Sequence, residues 1–167
     1  MNMLIRKFNK YHDGFFRFVS YLQSPFLFLV RVYWGWQLAQ SGWGKLHNLQ
    51  NVTEFFTSLN LPMPAQMAVF ISCVEFFGGI LLAIGLFSRL TALVLTVNML
   101  MAYITADHEA FFSFFKDPDK FSAAAPYVFL VASLIILIFG PGSICVDYLL
   151  RRSLRLPASP TDNSSPV

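Results

Sequence analysis

The sequence predicts an all-α membrane protein, a four-transmembrane-helix bundle with an N-terminal amphipathic interfacial helix. Two observations carry this prediction. The 167-residue chain is 56% hydrophobic and only 13% charged, whereas charged residues make up roughly 25% of an ordinary soluble domain. Four apolar runs also come close to the ~20 residues that a helix needs to cross a bilayer. The chain is therefore one small bundle, with little left over for a soluble domain.

The N-terminal segment, residues 1–24, has the pattern of an amphipathic helix. Apolar residues recur at helical spacing from Leu4 to Leu22, with lysines and arginines at polar positions between them. Helices of this kind lie in the plane of the membrane interface, with their basic residues near anionic headgroups. The segment lacks the apolar core and cleavage site of a secretory signal peptide, so we expect it to be retained on the cytoplasmic surface.

The four spans follow one another over residues 25–150, and their bounds come from the ends of the apolar runs. They are predicted at Pro25–Gly44, Pro64–Leu86, Leu90–Ala106 and Ala124–Tyr148.

The distribution of lysine and arginine outside the spans predicts the orientation. Most of these residues lie on the side of the two termini, and the opposite side has Lys45, Lys116 and Lys120. An excess of basic residues marks the cytoplasmic side of a membrane protein. We therefore expect a multi-pass protein of a bacterial-type inner (plasma) membrane with both termini cytoplasmic. The Pro/Ser-rich tail, residues 151–167, is expected to be disordered.

Each of the two outer loops is predicted to contain a distinct element. In the first loop Asn51 and Glu54 resemble a capping box ahead of an amphipathic run, which predicts a short interfacial helix. The second loop, residues 107–123, interleaves phenylalanines with charged residues. It either caps the bundle or docks a partner, and the sequence leaves both open.

Two ionisable residues, Arg31 and Glu75, fall inside predicted spans. A charge within a span costs at least ~2.5 kcal/mol on insertion scales, so such residues face a partner or a polar cavity. Each is the first member of a stripe, by which we mean a set of mostly small residues at helical spacing along one helix face. The stripes are Arg31, Gly35, Gly42 and Lys45 on the first span, and Glu75, Gly79, Gly85 and Arg89 on the second. Because small residues let helices approach closely, we expect these two faces to pack together.

The heights of the polar residues predict a layer inside the bundle. At a rise of ~1.5 Å per residue, Arg31 lies roughly 9 Å and Glu75 roughly 17 Å above the cytoplasmic ends of the spans. The long Arg31 side chain bridges much of that difference, and Asn98 on the third span reaches the height of Glu75. The sequence thus predicts a polar site of Arg31, Glu75 and Asn98.

Three interpretations of this site stay open. Arg31 and Glu75 form an internal clamp that fixes which helix faces meet, or the layer lines a pocket for a quinone headgroup or a similar amphiphile, or it is a contact between protomers. An apolar cleft with a few polar groups suits a quinone, whose carbonyl oxygens accept hydrogen bonds. No catalytic residue is assigned.

Several other kinds of site are not expected. His47, Glu54, Asp107, His108 and Glu109 lie on the outer side, but neither HxxxH nor HExxH is present, so no metal site is predicted. Cys73 and Cys145 lie at different heights, which argues against a disulfide. No phosphate loop, nucleophile elbow or haem motif occurs. The basic residues suit anionic lipid better than nucleic acid.

The two stripes resemble the DoxX family of small four-span membrane proteins, over roughly Leu29 to Leu149. By that likeness the pattern positions are Arg31, Gly35, Gly42, Lys45, Glu75, Gly79, Gly85 and Arg89. The family is named for subunits associated with thiosulfate:quinone oxidoreduction, and other members look like membrane accessories in redox and thiol-stress systems. Leu38, at a position where many members have an aromatic residue, and the long Phe-rich loop depart from the pattern.

The resemblance implies a membrane accessory or subunit of a respiratory or redox-stress system that is not an enzyme on its own. It implies the lipid bilayer, a partner redox enzyme or a second copy of the chain as partners, and a quinone as the candidate cofactor. Two alternatives remain from the sequence. The first is a non-catalytic scaffold or assembly factor that recruits an enzyme, and the second is a small transporter.

Overall fold

The structure, a computed structural model, describes the backbone of residues 2–142 and 144–147 and the side chains from residue 21 onward. Within these ranges the chain forms helices joined by turns, as the all-α prediction requires. The helices are α1 (Asn2–His47), α2 (Leu49–Ser58), α3 (Pro64–Ile84), α4 (Ser88–Thr105), α5 (His108–Phe111), α6 (Pro118–Ala123) and α7 (Ala125–Phe139). The predicted tail, residues 151–167, and the end of the predicted fourth span lie outside the described residues.

Helix α1 is one continuous helix of 46 residues, roughly 69 Å long at 1.5 Å per residue. It runs without a break through the predicted interfacial helix and the first predicted span, so these two elements are parts of one helix. Pro25 lies inside α1. A proline removes one backbone hydrogen bond, but in an apolar helix packed against its neighbours this loss does not end the helix.

Two helices, α3 and α4, are long and apolar enough to cross a membrane by length and composition. Pro64 begins α3 at a position where its missing N–H costs nothing, and Gly85 ends it with a φ of 76°. Helix α7 is apolar but shorter, with 15 residues. It ends at Phe139, earlier than predicted, because Gly140 adopts a φ of 80° and is followed by Pro141.

Four helices pack around one core. Helix α1 lies along α3, α3 contacts α4, α4 lies along α7, and α7 returns to α1. Side chains from all four fill the space between them; the core residues are Leu27, Leu38, Leu82, Ala92, Leu95, Met99 and Ile136. The outward faces carry many exposed large apolar side chains, including Leu29, Phe70, Phe77, Val97 and Ile138.

The predicted short helix of the first loop is present as α2, which packs on α3. Its start differs from the prediction. Helix α2 begins at Leu49 without a side-chain cap, so Asn51 and Glu54 lie inside the helix. Glu54 instead accepts a hydrogen bond of 3.2 Å from Gln50, one turn earlier. The expected capping box is therefore wrong, because the helix continues from the end of α1 with one intervening residue.

Candidate functional site

The two small-residue stripes meet at the contact between α1 and α3. A Cβ atom added at Gly42 would lie 2.3 Å from the backbone nitrogen of Phe76, and one added at Gly79 would lie 2.5 Å from that of Ala39. At Gly35 it would lie 2.8 Å from the backbone nitrogen of Ala83. No side chain larger than hydrogen fits at these distances. The glycines thus allow the two backbones to touch, as the sequence predicts for the two faces.

Near the C-terminal end of α1, Glu75 is held by two residues of that helix. The Lys45 ammonium nitrogen donates to both carboxylate oxygens of Glu75, at 2.5 and 2.7 Å, and the Ser41 hydroxyl donates to one of them at 3.2 Å. Glu75 is 2% exposed, whereas the Lys45 side chain is 36% exposed. The buried Glu75 side chain is therefore compensated by a cationic partner and a further hydrogen-bond donor. Ser41, Lys45 and Glu75 form the candidate site, which we call the Lys45–Glu75 site.

Arg31 lies elsewhere, and the predicted contact between Arg31 and Glu75 is not formed. The Arg31 guanidinium donates to three backbone carbonyls, those of Pro141 at 2.7 Å, Ile144 at 2.5 Å and Ala83 at 3.4 Å. It therefore joins the end of α3 to the segment after α7. On α1, Arg31 stands roughly 21 Å from Lys45, so Lys45 is the cation that reaches Glu75.

The close fit around Arg31 explains the glycine at position 85. A Cβ atom there would lie 2.7 Å from the guanidinium carbon of Arg31 and 2.7 Å from the Cβ of Cys145. Gly85 also has a positive φ, which side chains rarely adopt. Gly85 therefore leaves room for the Arg31 guanidinium and allows the turn between α3 and α4. It is not part of the Lys45–Glu75 site.

Asp147 completes the same end of the bundle, and sequence reasoning assigned it no role. Its two carboxylate oxygens accept from the backbone N–H groups of Phe87 and Ser88, at 2.8 Å each, and its own N–H donates to the Gly85 carbonyl at 3.0 Å. The first N–H groups of a helix have no acceptor within the helix, and Asp147 supplies acceptors at the start of α4. The one signal in the sequence is an acidic residue closing an apolar run shortly after Gly-Pro-Gly.

The predicted polar layer is not joined by hydrogen bonds. The Asn98 amide nitrogen is buried and has no partner among the described residues. Ser72 and Ser133 donate to carbonyls of their own helices, those of Ala68 and Phe129. Of the three predicted residues, the structure therefore gives Glu75 and Arg31 separate sets of partners and leaves the Asn98 donor without one. Arg89, the last pattern position, is exposed and lies beside Gly140.

The outer acidic and histidine residues are not gathered into one site. In the described ranges no three His, Cys, Asp or Glu side chains are placed to hold a metal ion. Lys120 instead pairs with Glu109 at 2.9 Å, and this hydrogen bond lowers the pKa of the exposed Glu109 carboxyl. Cys73 and Cys145 are free thiols.

An apolar cleft of about 260 Å³ lies between α3 and α4. Its walls are Val74, Gly78, Leu81, Phe87, Leu90, Thr91, Val94 and Leu95. The one polar side chain among them, Thr91, donates weakly to the carbonyl of Leu86 at 3.4 Å. The cleft can take hydrocarbon but offers no group for chemistry.

Comparisons with known proteins agree with the resemblance to the DoxX family. Residues 26–108 match the model of the DoxX family. The chain is 27% identical over 119 residues to a Bacillus subtilis (strain 168) protein named "Putative oxidoreductase CatD", a match that covers 71% of this chain and 82% of that relative. No solved structure matches the chain.

Proposed function

Since the chain belongs to the DoxX family, we propose that it is an integral membrane accessory or subunit of a respiratory or redox-stress system. We further propose that the Lys45–Glu75 site holds the headgroup of a quinone-type amphiphile. The name of the Bacillus subtilis relative supports the link to oxidoreduction. Electrons for any reaction come from a partner enzyme, and this chain contributes the place in the membrane where the headgroup binds.

The packing of the helices supports a four-span arrangement. Helices α3 and α4 are candidate spans, and α1 and α7 close the ring with them. The outward faces of this ring carry large exposed apolar side chains, a surface suited to hydrocarbon and costly in water. The excess of basic residues near the termini favours a cytoplasmic location for both.

The observation that carries the binding proposal is the partial exposure of the Lys45 side chain, which is 36% exposed. An ammonium has three N–H donors, and Glu75 occupies two directions of the group. The remaining donor is available to an acceptor that approaches from the exposed side. A quinone carbonyl oxygen is such an acceptor, and a bound quinone supplies two-electron redox chemistry that requires protons. A hydrogen bond donated by an ammonium group is stronger than one from a neutral donor.

The aromatic surroundings of the site suit a flat ring. Trp43 lies two residues before Lys45, with its ring 5.3 Å from that of Phe76 and 4.2 Å from that of His47, between centroids. Trp43 is also exposed, and its contact with Phe76, the residue after Glu75, places an aromatic face at the α1–α3 contact. Stacked or edge contacts of this kind contribute about 0.5–1.5 kcal/mol beyond area burial.

Trp43 also provides the measurement. The chain has three tryptophans, and replacing Trp34 and Trp36 by Phe leaves Trp43 as the single tryptophan, which is excited selectively over tyrosine. We expect menaquinone or ubiquinone analogues, titrated into this variant in lipid nanodiscs, to quench its fluorescence saturably. The further change Lys45→Met should remove the saturable part.

Lys120→Met is the matched control, because Lys120 is an exposed lysine with its own acidic partner. It should leave the quenching curve unchanged. Quenching that does not saturate, or saturates equally with Lys45→Met, would contradict the quinone proposal. Quinone extracted from gently purified wild-type protein, and depleted in Lys45→Met, would support it independently.

A further inference from the structure

We propose that three phenylalanines of the α5–α6 loop insert into the interfacial region of the lipid bilayer, with Lys116 directed to lipid phosphate. We call Phe112, Phe114 and Phe115 the phenylalanine surface. The turn between α5 and α6 presents these rings outward. The ligand class is a phospholipid at the level of its glycerol and phosphate groups. The proposal rests on the membrane placement described above, but not on quinone binding.

These three rings are exposed although they lie in a loop, outside the candidate spans α3 and α4. Phe112 is 75% exposed, Phe114 is 52% exposed and Phe115 is 92% exposed. Burying a large apolar side chain contributes about 1.5–3 kcal/mol relative to leaving it in water. Because one loop exposes three such rings, we infer that an apolar partner covers this surface.

The loop is held in shape by its other aromatic residues. The buried Tyr103 donates its hydroxyl to the carbonyl of Phe121, and its ring packs against Phe111 and Phe121 at centroid distances of 5.5 and 5.3 Å. Lys120 and Glu109 pair across the two short helices. The loop thus divides its phenylalanines into an inner set that caps the bundle and the outer phenylalanine surface.

The position of the loop favours lipid as the apolar cover. The loop connects α4, a candidate span, to the apolar α7. Exposed apolar side chains continue along α4 into its last turns, at Met101 and Ile104, and the phenylalanine surface follows a few residues later. Aromatic side chains at the ends of spans are typical of the membrane interface.

The positive charge of Lys116, next to the phenylalanine surface, also favours lipid as the partner. Lys116 directly follows Phe115 and is exposed. Its side chain has no acidic partner within the described residues, whereas Lys120 is paired with Glu109. A lysine beside apolar rings extends its ammonium group to lipid phosphate while its stem remains near the acyl chains.

The test places a single tryptophan in the phenylalanine surface. All three native tryptophans are replaced by Phe, and Phe115→Trp is added. This variant is reconstituted into vesicles of phosphatidylcholine and phosphatidylglycerol. We expect an emission maximum shifted to shorter wavelength than that of tryptophan in water. Lipids brominated at shallow acyl positions should quench it more than lipids brominated at deep positions.

Two matched controls define the scale. Asp119→Trp, at an exposed polar position of the same loop, should emit as in water and escape quenching. Val97→Trp, at an exposed position in the middle of α4, should be quenched most by deep bromines. If Phe115→Trp behaves like Asp119→Trp while Val97→Trp is quenched, the membrane placement stands and the phenylalanine surface faces water or a protein partner, which overturns this proposal.

Discussion

Lys45 and Glu75 form one ion pair, but the two side chains have different access to water. Glu75 is 2% exposed and the Lys45 side chain is 36% exposed. Removing the cation leaves a carboxylate with no route to solvent, whereas removing the carboxylate leaves an ammonium that can turn outward. Breaking a buried pair by removing one partner typically costs about 3–5 kcal/mol. We therefore expect Lys45→Met to destabilise the protein more than Glu75→Gln, as measured by thermal unfolding in detergent.

A double-mutant cycle tests the contact itself. The combination of Lys45→Met and Glu75→Gln should be more stable than the sum of the single losses predicts, because the second change removes the stranded charge. Arg31→Met combined with Glu75→Gln is the control, and its losses should add, since those residues have separate hydrogen-bond partners. Additive losses for the Lys45 cycle would mean that the pair does not form.

The sequence identified the charged residues but not their partners. Helical spacing shows that Arg31 and Lys45 share a face with glycines, because that information is local to one helix. The carbonyls that hold Arg31 come from Pro141 and Ile144, which follow a turn whose path no periodicity predicts. The sequence places Lys45 beyond the end of the first predicted span, and spacing does not show that its stem reaches inward to Glu75.

The contact between α1 and α3 depends on backbone approach, so its glycines are not equivalent to glycines elsewhere. A Cβ at Gly42 would lie 2.3 Å from the Phe76 nitrogen, whereas one at Gly44 would meet nothing within 4 Å. We expect Gly42→Ala to separate the helices at a cost of about 1–3 kcal/mol. Gly44→Ala should be neutral or stabilise α1 by up to about 1 kcal/mol. Equal melting temperatures for the two variants would contradict this contact.

Asp147 stabilises the start of α4 from outside the helix. Its carboxylate accepts from the N–H groups of Phe87 and Ser88, so Asp147→Ala should cost about 0.5–2 kcal/mol, as loss of a cap does. Hydrogen exchange at those two amides should accelerate. Asp117→Ala, which removes the corresponding acceptor at Lys120 in α6, should leave them protected. Unchanged exchange at Phe87 and Ser88 in Asp147→Ala would exclude the capping role.

At the level of helices, prediction from sequence worked where one local signal decided the outcome. Helix α3 begins at Pro64, the predicted start of the second span, and ends at Ile84, close to the predicted end at Leu86. Prediction failed where signals compete. Pro25 favours a helix end, but continuous apolar spacing on both sides keeps α1 intact. Asn51 resembles a cap, but α2 starts directly after α1.

For the molecule as a whole, the main question is whether two helices or four cross the membrane. Helices α3 and α4 meet the requirements of length and composition, and α7 is shorter than a standard span. However, α1 packs along α3 and α7 packs along α4. If α3 and α4 lie in hydrocarbon, their partners are carried to the same depth, because their buried faces pack in one core. This argument favours four spans.

Cysteine labelling distinguishes the two arrangements. In a variant with Cys73→Ser and Cys145→Ser, single cysteines are introduced by Ser58→Cys, Asp119→Cys and Ser159→Cys and treated with a membrane-impermeant maleimide in intact cells. Both arrangements place Ser58 and Asp119 on the same side, since α3 and α4 together cross twice. Four spans place Ser159 on the opposite side, whereas two spans place all three together. We expect Ser58→Cys and Asp119→Cys to react in intact cells. Ser159→Cys should react only after permeabilisation, because the basic residues near the termini favour a cytoplasmic location for both termini.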